Sequence, residues 1–175
     1  PETGLTLGEV LEQAQEQNLD LMEMEEGETA SFIATYASAT TDVSVTRGSC
    51  YYYSDYDLGS YLTYKYTVSF NNVTATAYCI QPSKSSPGDG VFKITRLGDG
   101  KKLAKVCYYG TKASGVNGFF KTEHPDFSAG KQFVIAHLAV SYASGSDDAF
   151  SGANATGQAL AMELYNYCMA QPEIP

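Results

Sequence analysis

Leu62-Thr63-Tyr64-Lys65-Tyr66-Thr67-Val68-Ser69-Phe70 is the stretch on which the fold turns. Leu62, Tyr64, Tyr66, Val68 and Phe70 alternate with Thr63, Lys65, Thr67 and Ser69. Successive side chains of an extended chain point to opposite faces, so this period of two predicts a strand with one face buried. Around it the sequence is dense in Tyr, Thr, Ser and Val, residues whose shapes suit a pleated surface. Further strands are predicted at 30–37, 42–47, 73–80 and 91–96, separated by Gly48, by Asn71-Asn72 and by the loop from Pro82 to Gly90. Together they describe a largely antiparallel sheet.

Outside that block the period changes. Thr6-Leu7-Gly8-Glu9 has the spacing of a helix-capping box, and Leu7, Val10, Leu11 and Ala14 follow at helical intervals, predicting a helix near 7–17. The acidic stretch Glu23 to Glu28 reads as a solvated connector. Beyond Gly100, Leu103, Val106 and Cys107 form a short helical stripe that stops at Gly110, and a polar loop runs from there to Gly130. Lys131 to Ala143 is apolar on nearly every side, as in a buried helix. Ser144 to Ser151 breaks it, a last helix spans about 155–169, and Pro172 and Pro175 read as a linker to a following domain. The chain is therefore expected to be α+β, a mainly antiparallel sheet or sandwich-like body with a helical lobe. Residues 1–28 form a helix and connector, 29–170 the domain proper (β-rich over 29–97, helical from about 100), and 171–175 the linker.

Composition narrows the partners. With 175 residues and 43% hydrophobic content, one core suffices. A net charge of -9 repels phosphate backbones, so nucleic acid and anionic membranes are not expected as partners. No apolar run has the length of a membrane span, and no signal peptide is recognisable, so the chain is expected to be soluble. Cys50, Cys79, Cys107 and Cys168 form no CxxC pair, and with only His124 and His137 beside them no zinc spacing exists. No metal or cofactor is expected.

Chemistry is concentrated at Tyr78-Cys79-Ile80, where a cysteine ends a predicted strand before the turn-rich Gln81-Pro82-Ser83-Lys84-Ser85-Ser86-Pro87-Gly88. By position alone it reads as a buried structural cysteine. In sequence order follow the Leu103-Ala104-Lys105-Val106 helix with Tyr109-Gly110, and then Lys131-Gln132-Phe133-Val134-Ile135. Over roughly 75–145 this order resembles the thioester domains of Gram-positive bacterial surface proteins. In that family a Tyr-Cys-aliphatic element supplies a thiol, and a Thr-Gln-x-Ala-Ile-Trp element at a helix start supplies a glutamine. Here Lys131, Val134 and Ala136 replace the Thr, Ala and Trp of the second element, while Gln132 and Ile135 are kept.

The resemblance implies that Cys79 and Gln132 form an internal thioester. A thiolate is a strong nucleophile, and a neutral carboxamide can expel ammonia where an ionised carboxylate would repel the attack. It further implies an extracellular, cell-wall-anchored adhesin, part of a longer multidomain chain, that captures a lysine amine on a host protein once and does not turn over. Gln158, in Thr156-Gly157-Gln158-Ala159-Leu160, is the reserve partner. Gln81 is too near Cys79 in sequence and lacks the glycine of the complement-type Cys-Gly-Glu-Gln thioester. His137 reads as a hydrogen-bonded core histidine, yet His137 or His124 also supports a rival class, a cysteine hydrolase or transpeptidase using Cys79. A non-reactive stalk or pilus module is the third possibility. Cys107 with Cys168 is the expected disulfide, and Tyr78, Tyr108, Tyr109 and Phe133 are expected to shield the thioester from water.

Overall fold

The computed structural model describes residues 21–24, 33–34, 41–70, 73–96, 101–110 and 118–174. The helix expected near 7–17 lies outside them. Among the described residues six strands form one antiparallel sheet: β1 Leu21–Met24, β2 Ile33–Ala34, β3 Thr41–Tyr52, β4 Leu62–Phe70, β5 Val73–Ala77 and β6 Gly90–Arg96, in the spatial order β2-β1-β6-β3-β4-β5. The helices follow in sequence as α1 Lys101–Lys105, a π-helical turn Val106–Gly110, α2 Phe119–Glu123, α3 Ala129–Ala143 and α4 Ala155–Ala170. This is the expected α+β class.

The alternating stretch is β4, and β3 flanks it along most of its length. Tyr66 and Val68 join Val43, Val45 and Ala77 in one buried cluster on a single face of the sheet. At the other end of β4 the opposite face is also covered, so Thr63, a polar position by the alternation rule, is buried. Gly48 was expected to separate strands, but β3 runs through it with an irregularity between Arg47 and Cys50. A side chain at 48 would meet the Lys65 carbonyl oxygen at 2.7 Å, so glycine here permits close strand approach at the irregularity and does not end the strand.

Three further expectations are corrected. Glu23 does not lie in a solvated connector: it sits within β1, paired with Thr95 of β6, where the backbone ladder outweighs the acidic composition. The strand predicted over 73–80 ends at Ala77, so Tyr78, Cys79 and Ile80 leave the sheet while remaining buried. The polar loop before Gly130 contains α2, which Phe119 and Phe120 bind to the core through their rings.

The helical lobe is built on α3. Nine successive residues, Phe133 to Ser141, are buried, because α4, the π-helical turn, α1 and the 3-10 turn Tyr53–Tyr56 pack on the helix, and Tyr51 of β3 and Thr63 of β4 reach it with their side chains. Ser128 caps the helix, accepting from the Lys131 amide. Asn154 caps α4 in the same way through the Gly157 amide. Both starts rest on the short 3-10 turn Tyr53–Tyr56 and the residues after it. A side chain on Gly130 would overlap the Tyr56 ring, and one on Gly157 would lie 2.5 Å from the Leu58 carbonyl oxygen.

Candidate functional site

Cys79 lies where the chain leaves β5 and passes along α3. Three contacts fix its course. The Tyr78 ring stacks on Phe133 with centroids 5.2 Å apart and planes 18° apart. The His137 imidazole hydrogen-bonds the Cys79 backbone. The Ser141 hydroxyl donates to the Ile80 carbonyl at 2.5 Å. Phe133, His137 and Ser141 are four residues apart in turn, so they form one stripe of the helix, and residues 78, 79 and 80 are laid along it in order.

His137 is fully buried. Its Nε2 is 2.7 Å from the Tyr53 hydroxyl, and its Nδ1 is 3.4 Å from Thr63 Oγ1. Burial pushes its pKa down to about 4, against smaller opposing effects of the Cys79 hydrogen bond and the Asp148 charge, so the ring is neutral at ordinary pH. Tyr53 is held well above the usual phenol range, first by burial and then by the neighbouring Cys79 and Asp148 charges. Burial likewise raises Tyr66 to about 12, with a smaller upward push from Cys79. The Tyr53 hydroxyl thus reaches the cysteine through the imidazole, while the Tyr66 hydroxyl is engaged by the loop after it. The Cys79 thiol itself donates to the Gln81 carbonyl at 3.6 Å.

The loop after Cys79 is latched at two points. Tyr66 donates to the Pro87 carbonyl at 3.1 Å. Asp148, in the connection between α3 and α4, accepts from the Ser83 amide at 2.9 Å, from the Ser83 hydroxyl, and from the Ser146 hydroxyl at 2.5 Å. Burial works against its charge, but the hydrogen bonds from Ser146 and Ser83 outweigh that and hold its carboxyl below the ordinary value.

Gln132 lies in the first turn of α3, half-buried, and its amide nitrogen donates to the Phe127 carbonyl at 2.7 Å. It directly precedes the Phe133 that stacks on Tyr78, and it stands one helical position off the stripe that carries His137. Gln158 is exposed at the start of α4 and donates to the Ala153 carbonyl at 3.1 Å. His124 is taken up elsewhere, 3.0 Å from Glu163 and stacked on Phe127.

The family model for the thioester domain matches residues 42–175. The chain belongs to the thioester domain family. No curated protein and no solved structure matches it. In this thioester domain the group that meets the cysteine's backbone is His137, which the sequence presented as a core histidine. A signal for it exists: five residues beyond Gln132, Ala136-His137-Leu138-Ala139-Val140-Ser141 keeps the alanine and the aliphatic residue of the family's second element and has histidine where that element has glutamine. The expected disulfide is not formed, and Cys107 and Cys168 are both thiols. Cys168 fills the space beside Gly110, 3.3 Å from where a side-chain carbon at 110 would stand, while Cys107 sits half-buried on the π-helical turn. Burial pushes each of these thiols up to about 12. Among the described residues no cluster of metal-ligating side chains occurs, and no helix is long and apolar enough to cross a membrane.

Proposed function

We propose that the domain captures a primary amine covalently through a thioester between Cys79 and Gln132, and that the amine is a lysine on a host surface or matrix protein. The family match carries this reading. Support comes from the burial of Cys79 and from the stacking of Tyr78 on Phe133, which joins the chain neighbours of the two reacting groups. In bond formation the Cys79 sulfur attacks the Gln132 carboxamide carbon. The carbon–nitrogen bond breaks, and ammonia leaves with the thiol proton. Gln132 gives up its hydrogen bond to Phe127 in the process. In capture the amine attacks the same carbon, the carbon–sulfur bond breaks, and the displaced amine proton returns to sulfur. The ligand ends on Gln132 through an amide, so each molecule reacts once. A surface-exposed, cell-wall-anchored setting in a longer chain is part of the same proposal.

Intact mass spectrometry tests it. The wild-type domain should be one ammonia lighter than its sequence, and on incubation with methylamine should gain the mass of one methylamine, ending at the sequence mass with ammonia exchanged for methylamine. Cys79→Ala and Gln132→Ala should both have the full mass. A Gln132→Ala protein that still lacks an ammonia, with Gln158→Ala restoring the full mass, would move the partner to Gln158.

The proximity of His137 to Cys79 favours a second reading, a cysteine acyl transferase or hydrolase. Against it, Tyr53 occupies Nε2, the imidazole bonds the Cys79 backbone, and burial leaves the ring a weak base. Sustained release of product from an ester or peptide substrate would establish that reading and displace single-turnover capture.

A further inference from the structure

His137 is the one ionisable side chain in the buried run Phe133 to Ser141, and the capture chemistry assigns it no step. A polar group in that place costs free energy unless its hydrogen bonds are met, and an apolar side chain would fill the space at less cost. Here the bonds are met by Tyr53, by Thr63 and by the Cys79 backbone. One of those partners is the reactive residue itself, and another, the fully buried Tyr53, holds Nε2 at 2.7 Å. Phe133 and Ser141 hold the residues on either side along the same stripe. Resting on the reading of Cys79 as the reactive thiol, we propose that His137, bridged to Tyr53, is a positioning residue: it grips the backbone of Cys79 and so aims the sulfur, without exchanging a proton with the reacting atoms.

Acyl transfer to or from sulfur depends on placement. A misplacement of about 1 Å costs on the order of 100-fold in rate. The test follows methylamine adduct formation by intact mass in the folded domain. His137→Ala should slow it by about 10- to 100-fold. His137→Asn and His137→Gln place an amide near one or other ring nitrogen, and the better of the two should recover most of the rate. Tyr53→Phe, which removes one hydroxyl, should fall between and carries the test if His137→Ala does not fold. Wild-type rates in both His137→Ala and Tyr53→Phe overturn the proposal. So do amide variants that are both as slow as His137→Ala, since that pattern describes packing alone. A Gln132→Ala/His137→Gln protein one ammonia lighter than its sequence also overturns it, because position 137 would then be the acyl-bearing level of the helix. If the wild-type domain has its full mass and forms no adduct, the thioester reading fails by itself. The positioning role is then read from iodoacetamide labelling of Cys79, followed by peptide mass spectrometry. His137→Ala should differ several-fold from wild type, with the better amide variant close to wild type, and equal rates in all of them overturn the role.

Discussion

At the scale of single residues, His137 makes stability depend on acid. Its pKa falls from 6.5 to about 4 on folding, so between those values the unfolded chain binds more protons than the folded one, and stability must rise with pH across that window. Acidification from pH 6.5 toward 4 should remove up to about 3 kcal/mol through this residue. Urea unfolding of wild type and His137→Gln across that range checks it: the wild-type loss should be the larger, and parallel curves would count against a neutral buried imidazole. Asp148 acts in the same direction at lower pH, since a carboxyl with a depressed pKa loses its contribution as it is protonated. The sequence placed Cys79 at a strand end before a turn-rich loop, and the structure buries it just past β5. The contact between His137 and Cys79 was not legible in the sequence. Nothing in local sequence tells which turn of a uniformly apolar helix faces a given backbone, and the burial of Thr63, which breaks the alternation of β4, became intelligible only with α3 against it.

At the scale of elements, the turn Tyr53–Tyr56 and its continuation to Ser60 seat both long helices. The Leu58 carbonyl accepts from the Asn154 amide at 2.8 Å, the Asp57 carbonyl accepts from the Asn154 side chain at 2.9 Å, and the Ser60 amide donates to the Gly152 carbonyl at 2.8 Å. A methyl group on Gly157 would press on the Leu58 backbone, which has no flexible end to move aside. Gly157→Ala should therefore cost about 1–3 kcal/mol. Gly130→Ala meets the movable tip of Tyr56 and should cost less, a ranking that thermal unfolding of the two variants decides. The latch of the loop after Cys79 gives another expectation. Asp148→Ala removes the acceptor of Ser83 and Ser146, so Cys79 in that protein, or its thioester, should react faster with small probes than in wild type. An unchanged rate of methylamine or iodoacetamide reaction would show that the loop stays closed without it. The strand β4 could be read from its period of two and the two long helices from their apolar pattern, whereas β3 was expected to stop before Gly48 and runs on to Tyr52. The helix α2 and the true end of β5 could not be so read, because both are set by tertiary burial of Phe119, Phe120 and Tyr78 and not by a repeating pattern.

At the scale of the whole molecule, a net charge of -9 favours approach of basic surfaces, and with lysine as the proposed acceptor it acts on the rate of encounter. Capture of a lysine-rich peptide should slow as salt rises from low to physiological strength, where screening shortens to about 8 Å, while capture of methylamine should change less. Equal salt dependence for the two amines would mean that the overall field plays no part. The burial of α3 along nine successive residues has a mechanical consequence. A partner joined to Gln132 would tug on the first turn of the most enclosed helix in the domain. Dislodging it would require that helix to be drawn out from among α4, α1 and the π-helical turn, so resistance to flow or shear would be set by the cohesion of the helical interior and not by any surface loop.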